Sequence, residues 1–383
     1  MGNRIRHLRR DERGMTFVFV GMGFMAFMAA TTLAVDVGMF MTAKSQAQNA
    51  ADAGALAGAT ALAFNDFNDR SASGPAVQSA IGTAQANAII GGVPSVLPAD
   101  VTFPNDPAGQ PTRVAVQVFR TAGRSNAIPT LIGPVFGVPT VSIGARATAE
   151  ASPANAETCV MPFTIPDKWQ ENTDPVWDPD DTFDLFKKNG QPLPNQDVYI
   201  PPGQPGATGY SVANDTGLQL VLKTNNQNKT APSFYNPWDL PGSVGGNDYR
   251  NNIATCNTHI VKMGDPMSAE PGNMVGPTSQ GIGDLVAKDP GAYWDGTCNC
   301  VKGSAFPISP RIAVIPLYDP VVYETGKHNG NNASLTAVNF LGFFIEPMQG
   351  NQVVGRITPV GGLVSGNGPL ATGAFPKAIR LVQ

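Results

Sequence analysis

The sequence predicts an α+β protein: an N-terminal transmembrane helix continuing into an Ala-rich helix, a small α+β membrane-proximal domain, then a β-rich C-terminal domain. Three observations predict it. Residues 15–35 carry no charge, which meets the roughly 20 apolar residues a bilayer-spanning helix needs. Residues 42–64 are rich in alanine and free of proline. From Pro153 the composition shifts to Pro, Gly, Asn and Trp, with short alternating apolar runs between turn residues.

Composition narrows the class. Only 14% of the 383 residues are charged, against roughly 25% in an ordinary soluble domain. A hydrophobic share of 42% excludes a disordered chain, and 42 glycines with 34 prolines point to many turns. Length allows about two domains beyond the N-terminal segment. A net charge of -4, with no basic tract after the first 13 residues, argues against a nucleic-acid partner.

The first 14 residues form a basic tail with Arg4, Arg6, Arg9, Arg10 and Arg13, whereas only Lys44 lies just beyond the apolar run. That asymmetry predicts an N-terminus in the cytoplasm and a C-terminus outside it. Residues 15–41 are read as a signal anchor, because a cleaved signal has an apolar core of only about 7–15 residues. Asp36 stands at the outer end of this span. A carboxylate at a helix centre would cost about 2.5–3.5 kcal/mol, and much less near the interface. Two readings follow: a wet interfacial residue, or a polar contact to a partner helix.

Beyond the span the helix should continue, since alanine is the best helix former. Ala47, Ala51, Gly54, Gly58 and Ala61 recur three and four residues apart, so one face is made of very small side chains. Gly54 and Gly58 form a GxxxG pair that would let another backbone come close. The seam is either against the chain's own outer domain or against other subunits.

The same residues carry a family likeness. The stretch RDERGMTFVFVGMGFMAFMAATTLAVDVGMF, followed by AQNAADAGALAGA, resembles the N-terminal segment of TadE/TadG-like Flp (Tad) pilus assembly proteins. The matching positions are Arg13–Gly14, Ala34–Asp36–Gly38, and Gln48 through Gly58 with Asn49 variable. The resemblance therefore marks Arg13, Gly14, Asp36, Gly38, Asn49, Ala51, Asp52, Gly54 and Gly58 as candidate membrane or partner-helix residues. Processed prepilins have a glutamate five residues after the cut glycine; here Phe19 stands in that place. The likeness thus favours an unprocessed, TadG-like member. The DxSxS letters of a von Willebrand A domain occur at Asp69–Ser73 but follow the Ala-rich helix, not a strand, so no such domain is expected. The resemblance implies a structural or assembly component of a pilus or related secretion apparatus in the bacterial inner membrane. Its partners would be other assembly proteins or pilins, and the lipid bilayer.

The remainder reads as two domains. In 42–152, residues 73–90 predict a second helix, and RVAVQVFR (113–120) and VSIGARATAEA (141–151) predict strands. Between them IPTLIGPVFG reads as a short helical or irregular connector. In 153–383 the strand candidates are CVMPFTI, QLVLKT, RIAVIPLY, AVNFLGFFIEPM and VVGRITPV, the last two forming a hairpin that turns at Gly350–Asn351.

The chemistry-bearing residues are few. Cys159, Cys256, Cys298 and Cys300 are disulfide candidates in an oxidising compartment. Three connectivities exist; a bridge between Cys298 and Cys300 closes a small ring, so pairing each with Cys159 or Cys256 is preferred. Cys256, His259, Cys298 and Cys300 could instead form a zinc set, though not at a standard spacing. The acidic run Asp167, Asp174, Asp178, Asp180, Asp181 and Asp184 lacks the glycine and glutamate of a calcium loop, so a solvated loop is expected. The histidines are His7, His259 and His328, and Ser211 in GYSVA lacks the second glycine of a nucleophile elbow. No catalytic residue, cofactor, metal or small-molecule substrate is expected. The other classes carried forward are an adhesin-like binding module and a zinc-containing periplasmic enzyme.

Overall fold

A computed structural model of the protein describes residues 13–64, 69–107, 109–174, 176–225, 227–328, 335–366 and 371–382. Most of the basic tail, with His7, lies outside the described residues. The architecture is α+β: a long apolar helix, a few further helices and a β-rich C-terminal region that includes a barrel. The chain divides into two compact units. One holds residues 1–59, 70–150 and 381–383, the other residues 60–69 and 151–380.

The first unit is built on α1, Arg13–Phe64, a single helix of 52 residues whose last five are counted with the second unit. No proline interrupts it, and alanine-rich stretches keep its helical propensity high. Its N-terminal half is exposed on nearly every side: Phe17, Phe19, Phe24, Met25 and Phe27 are each more than half accessible. Burial begins in earnest at Ala43 and then recurs at Ala47, Ala50, Ala51, Gly54, Ala55, Gly58 and Ala59. Against this face lies α2, Pro75–Ala86, which starts with a proline in its first turn and buries Ala76, Val77, Ala80 and Ala84. The strands are β1 (Val101–Thr102), β2 (Arg113–Arg120), β3 (Ile128–Pro129), β4 (Thr140–Val141) and β5 (Ile143–Pro153). β2 pairs antiparallel with β1 and with β5, whose register runs from Arg113 opposite Glu150 to Arg120 opposite Ile143. β3 and β4 form a separate two-stranded ribbon around a 3₁₀ turn at Gly133–Phe136. The connector expected from IPTLIGPVFG is thus a hairpin with a helical tip.

The second unit contains β6 (Ala156–Glu157), β7 (Phe163–Pro166), β8 (Gln219–Thr224), β9 (Phe234–Asp239), β10 (Val261–Lys262), β11 (Pro266–Ala269), β12 (Tyr293–Asp295), β13 (Cys300–Lys302), β14 (Ile312–Tyr318), β15 (Leu335–Ile345), β16 (Val353–Ile357) and β17 (Lys377–Val382), whose last two residues are counted with the first unit. Helices α3 (Gly245–Ala254), α4 (Val275–Lys288) and α5 (Pro320–His328) interrupt them. Around the barrel the order is β15, β14, β7, β9, β8, β16, and β16 closes back on β15. Strand alternation separates two cores. Ile315, Leu317, Leu341 and Phe343 join Phe163, Ile165 and Tyr235 with Ile253 and Ile282 of the helices. Val314, Tyr318, Ala337 and Phe340 join Trp238 and Met267 in the other. Burial on both faces explains why the second half of β15, Phe340–Ile345, reads as an uninterrupted run without polar side chains. The hairpin from β15 to β16 turns at Gly350, whose φ is 61°.

Candidate functional site

The family-like residues all lie on α1, and the structure separates them into three zones. The first is the apolar half. Arg13 begins the helix, and Gly14, Gly21, Gly23 and Gly38 face open space, so a Cβ at any of them would touch nothing. Hydroxyls that would be costly in lipid are satisfied within the helix: Thr31 Oγ1 donates to the Phe27 carbonyl and Thr32 Oγ1 to the Met28 carbonyl, each at 2.8 Å. The helix is long and apolar enough to cross a membrane.

The second zone is Asp36. It is only 3% exposed although its neighbours on the helix are open. Its two carboxylate oxygens accept the backbone N–H groups of Leu131 and Ile132, at 2.8 and 2.9 Å. Neither a wet interfacial residue nor a contact to a partner helix describes this arrangement. The partner is the chain's own β3–β4 hairpin, and the pair lies 95 residues apart in sequence. Two backbone donors on one carboxylate are charge-assisted bonds, about twice the strength of neutral ones.

In the third zone the small-residue face packs inside its own, first unit. A Cβ at Gly54 would lie 2.9 Å from Ala84 Cβ and 3.0 Å from the Ala80 carbonyl; one at Gly58 would lie 2.9 Å from Val114 Cγ1. The close approach that GxxxG permits is therefore taken up by α2 and β2. Ala51 is fully buried, Asn49 is exposed, and Asp52 accepts a bond from Gln48 Nε2 at 2.8 Å. Sequence reasoning missed three further anchors. Lys44 Nζ donates to the Gly144 carbonyl, Gln48 Nε2 to the Arg146 carbonyl, and Gln46 Oε1 accepts from the Ile90 N–H. The Ile90 backbone sits at a φ of 46°, and the bond to Gln46 holds its amide there. Nothing in the spacing of these residues marks their targets, which are backbone groups of distant segments.

In the second unit the cysteines pair as Cys159–Cys256 and Cys298–Cys300. This corrects the preferred cross-pairing. β12 and β13 form a tight ribbon with Asp295 opposite Cys300, and Asn299 at a φ of 48° turns Cys298 back toward Cys300. All four sulfurs are thereby committed, so the Cys–His zinc set is not assembled. The acidic run is also not uniformly solvated. Asp167 is fully buried and accepts from the amides of Lys168 and Tyr210, from Tyr199 Oη and from Asn339 Nδ2. Burial pushes its carboxyl up to about 6. Asp178, Asp180 and Asp181 form an exposed turn closed on their own backbone. No group of three or more metal-ligating side chains occurs among the described residues.

A cleft of about 780 Å³ in this unit is lined by Glu157, Cys300, Lys302, Phe306, Ile308 and Val360, among others. Glu157 is 4% exposed, and its Oε1 has no hydrogen-bond partner among the described residues. Desolvation pushes its carboxyl up to about 8, so it is held neutral.

Comparison with known proteins bears on α1 alone. Residues 14–61 match the Tad family model, Flp pilus-assembly TadE/G-like. No curated protein and no solved structure matches the chain.

Proposed function

We propose, from a chain whose residues 14–61 form a TadE/G-like segment, that this protein is a membrane-anchored component of Flp/Tad pilus assembly or a related secretion apparatus. It acts by protein–protein contact and not by catalysis. One observation carries the reading: the family-like segment is a single unbroken helix, bare and apolar in its first half and embedded in its own folded unit in its second. Such a helix joins a bilayer span directly to a folded unit. The basic tail supports an N-terminus in the cytoplasm, an inner-membrane span and folded units in the periplasm.

Because α2 and β2 occupy Gly54 and Gly58, contacts to partner helices fall to the span, where Gly14 and Gly38 stand open. Small residues there permit close helix approach in lipid. The partners are other assembly proteins or pilins. The test is pilus yield: removing the chain abolishes surface pili and the full-length chain restores them. Normal piliation without the chain would overturn the reading. The 780 Å³ cleft with exposed Phe306 and Ile308 favours a second activity, capture of an extracytoplasmic ligand by the outer unit.

A further inference from the structure

The β3–β4 hairpin presents a group of apolar side chains that nothing in its own unit covers. Leu131 is 64% exposed, Val135 80%, Phe136 70% and Val138 49%. No charged residue occurs between Arg124 and Arg146. A soluble surface seldom gathers this much apolar area in so short a segment.

The place of this tip along α1 says what covers it. Asp36 holds the amides of Leu131 and Ile132 directly, so the tip is fixed at the level of that residue. The uncharged stretch from Met15 to Val35 is 21 residues long. At about 1.5 Å per residue it matches a hydrocarbon core of roughly 30 Å and ends one residue before Asp36. The apolar tip is therefore continuous with the exposed apolar belt of the helix, at its outer edge.

The hairpin is also built for an environment poor in water. Prolines 129, 134 and 139 bring no N–H donors. The Thr130 N–H donates to the Pro139 carbonyl, the Val138 N–H to the Gly133 carbonyl, and Thr130 Oγ1 to the Val138 carbonyl. The remaining amides at the neck go to Asp36. Backbone groups so satisfied can enter an interface without leaving bare donors.

We infer that the tip of the β3–β4 hairpin, Leu131 to Val138, inserts into the outer interface of the bilayer beside α1, as a second and shallow membrane contact. The inference rests on the reading of α1 as a membrane anchor. Two membrane contacts held together by Asp36 limit the tilt of the first unit against the bilayer, which a single span leaves freer.

The test is spin-label depth measurement on the full-length chain in vesicles of phosphatidylethanolamine and phosphatidylglycerol. All four native cysteines are in disulfides, so one introduced thiol is labelled uniquely. Phe136→Cys and Val135→Cys report the tip. Phe24→Cys reports the span, and Ala86→Cys, on an exposed position of α2, reports water. The expected result is that both tip labels collide more often with oxygen than with a water-soluble nickel chelate, as the span label does. Tip labels behaving like Ala86→Cys, with Phe24→Cys in lipid, would overturn insertion and leave the anchor standing. A water-like label at Phe24 would overturn both.

Discussion

At the residue scale, Asp36 and Glu157 are two buried carboxylates with opposite solutions. Asp36 is matched by two backbone donors. Hydrogen bonds to a charged group contribute about 1.5–3 kcal/mol, and removing the acceptor leaves donors unsatisfied. Asp36→Ala should therefore speed amide exchange at Leu131 and Ile132 roughly a hundredfold, with Asp36→Asn intermediate. Unchanged exchange in the alanine variant would show that another group holds the hairpin. Glu157 takes one backbone bond, from Thr158, its Oε1 has no partner among the described residues, and burial raises its carboxyl to about 8. The folded state keeps this proton up to about pH 8, whereas the unfolded chain releases it near 4.5. Its contribution is fully present below pH 4.5 and declines as pH rises through that window, by up to roughly 1.4 kcal/mol per pH unit. Thermal unfolding should show Glu157→Gln gaining on the wild type between pH 6 and 8. Parallel curves for the two proteins would mean that Glu157 titrates normally.

At the scale of elements, the Ala-rich half of α1 serves as the core strut of its own unit. Its glycines touch α2 and β2, so size is constrained from both sides. Gly54→Leu or Gly58→Leu would push a bulky side chain into atoms already 2.9 Å from an added Cβ. Overpacking of this kind costs typically about 1–3 kcal/mol. The melting temperature of the detergent-solubilised chain should fall by several degrees while its retention in membranes is unchanged. Lost co-purification of partners with unaltered melting would instead place the seam between subunits. How much of this was readable in advance varies by element. α1, β2 and β8 follow from unbroken apolar or alternating runs, because local sequence alone determines them. The pairing of Asp36 with the hairpin was not readable, since a carboxylate carries no mark of a backbone partner 95 residues away. The Cys298–Cys300 bridge depends on the left-handed turn at Asn299, a backbone choice that cysteine spacing does not reveal.

On the whole-molecule scale, α1 is one helix with two halves in different surroundings. The bare apolar half is long and apolar enough to cross a membrane; the embedded half is packed in a folded unit. The second unit holds a barrel with two separate apolar cores and a disulfide across 97 residues. The family match covers only residues 14–61, so a role is legible for the span and only a β-rich character for the barrel. The most direct measurement is surface pilus yield in cells whose chain has residues 14–41, Asp36 excepted, replaced by an unrelated glycine-free apolar span of equal length. If the native span contacts the assembly apparatus, pili disappear while the chain remains in the membrane at its normal level. Full piliation with the substituted span would contradict the account and leave α1 a mere tether.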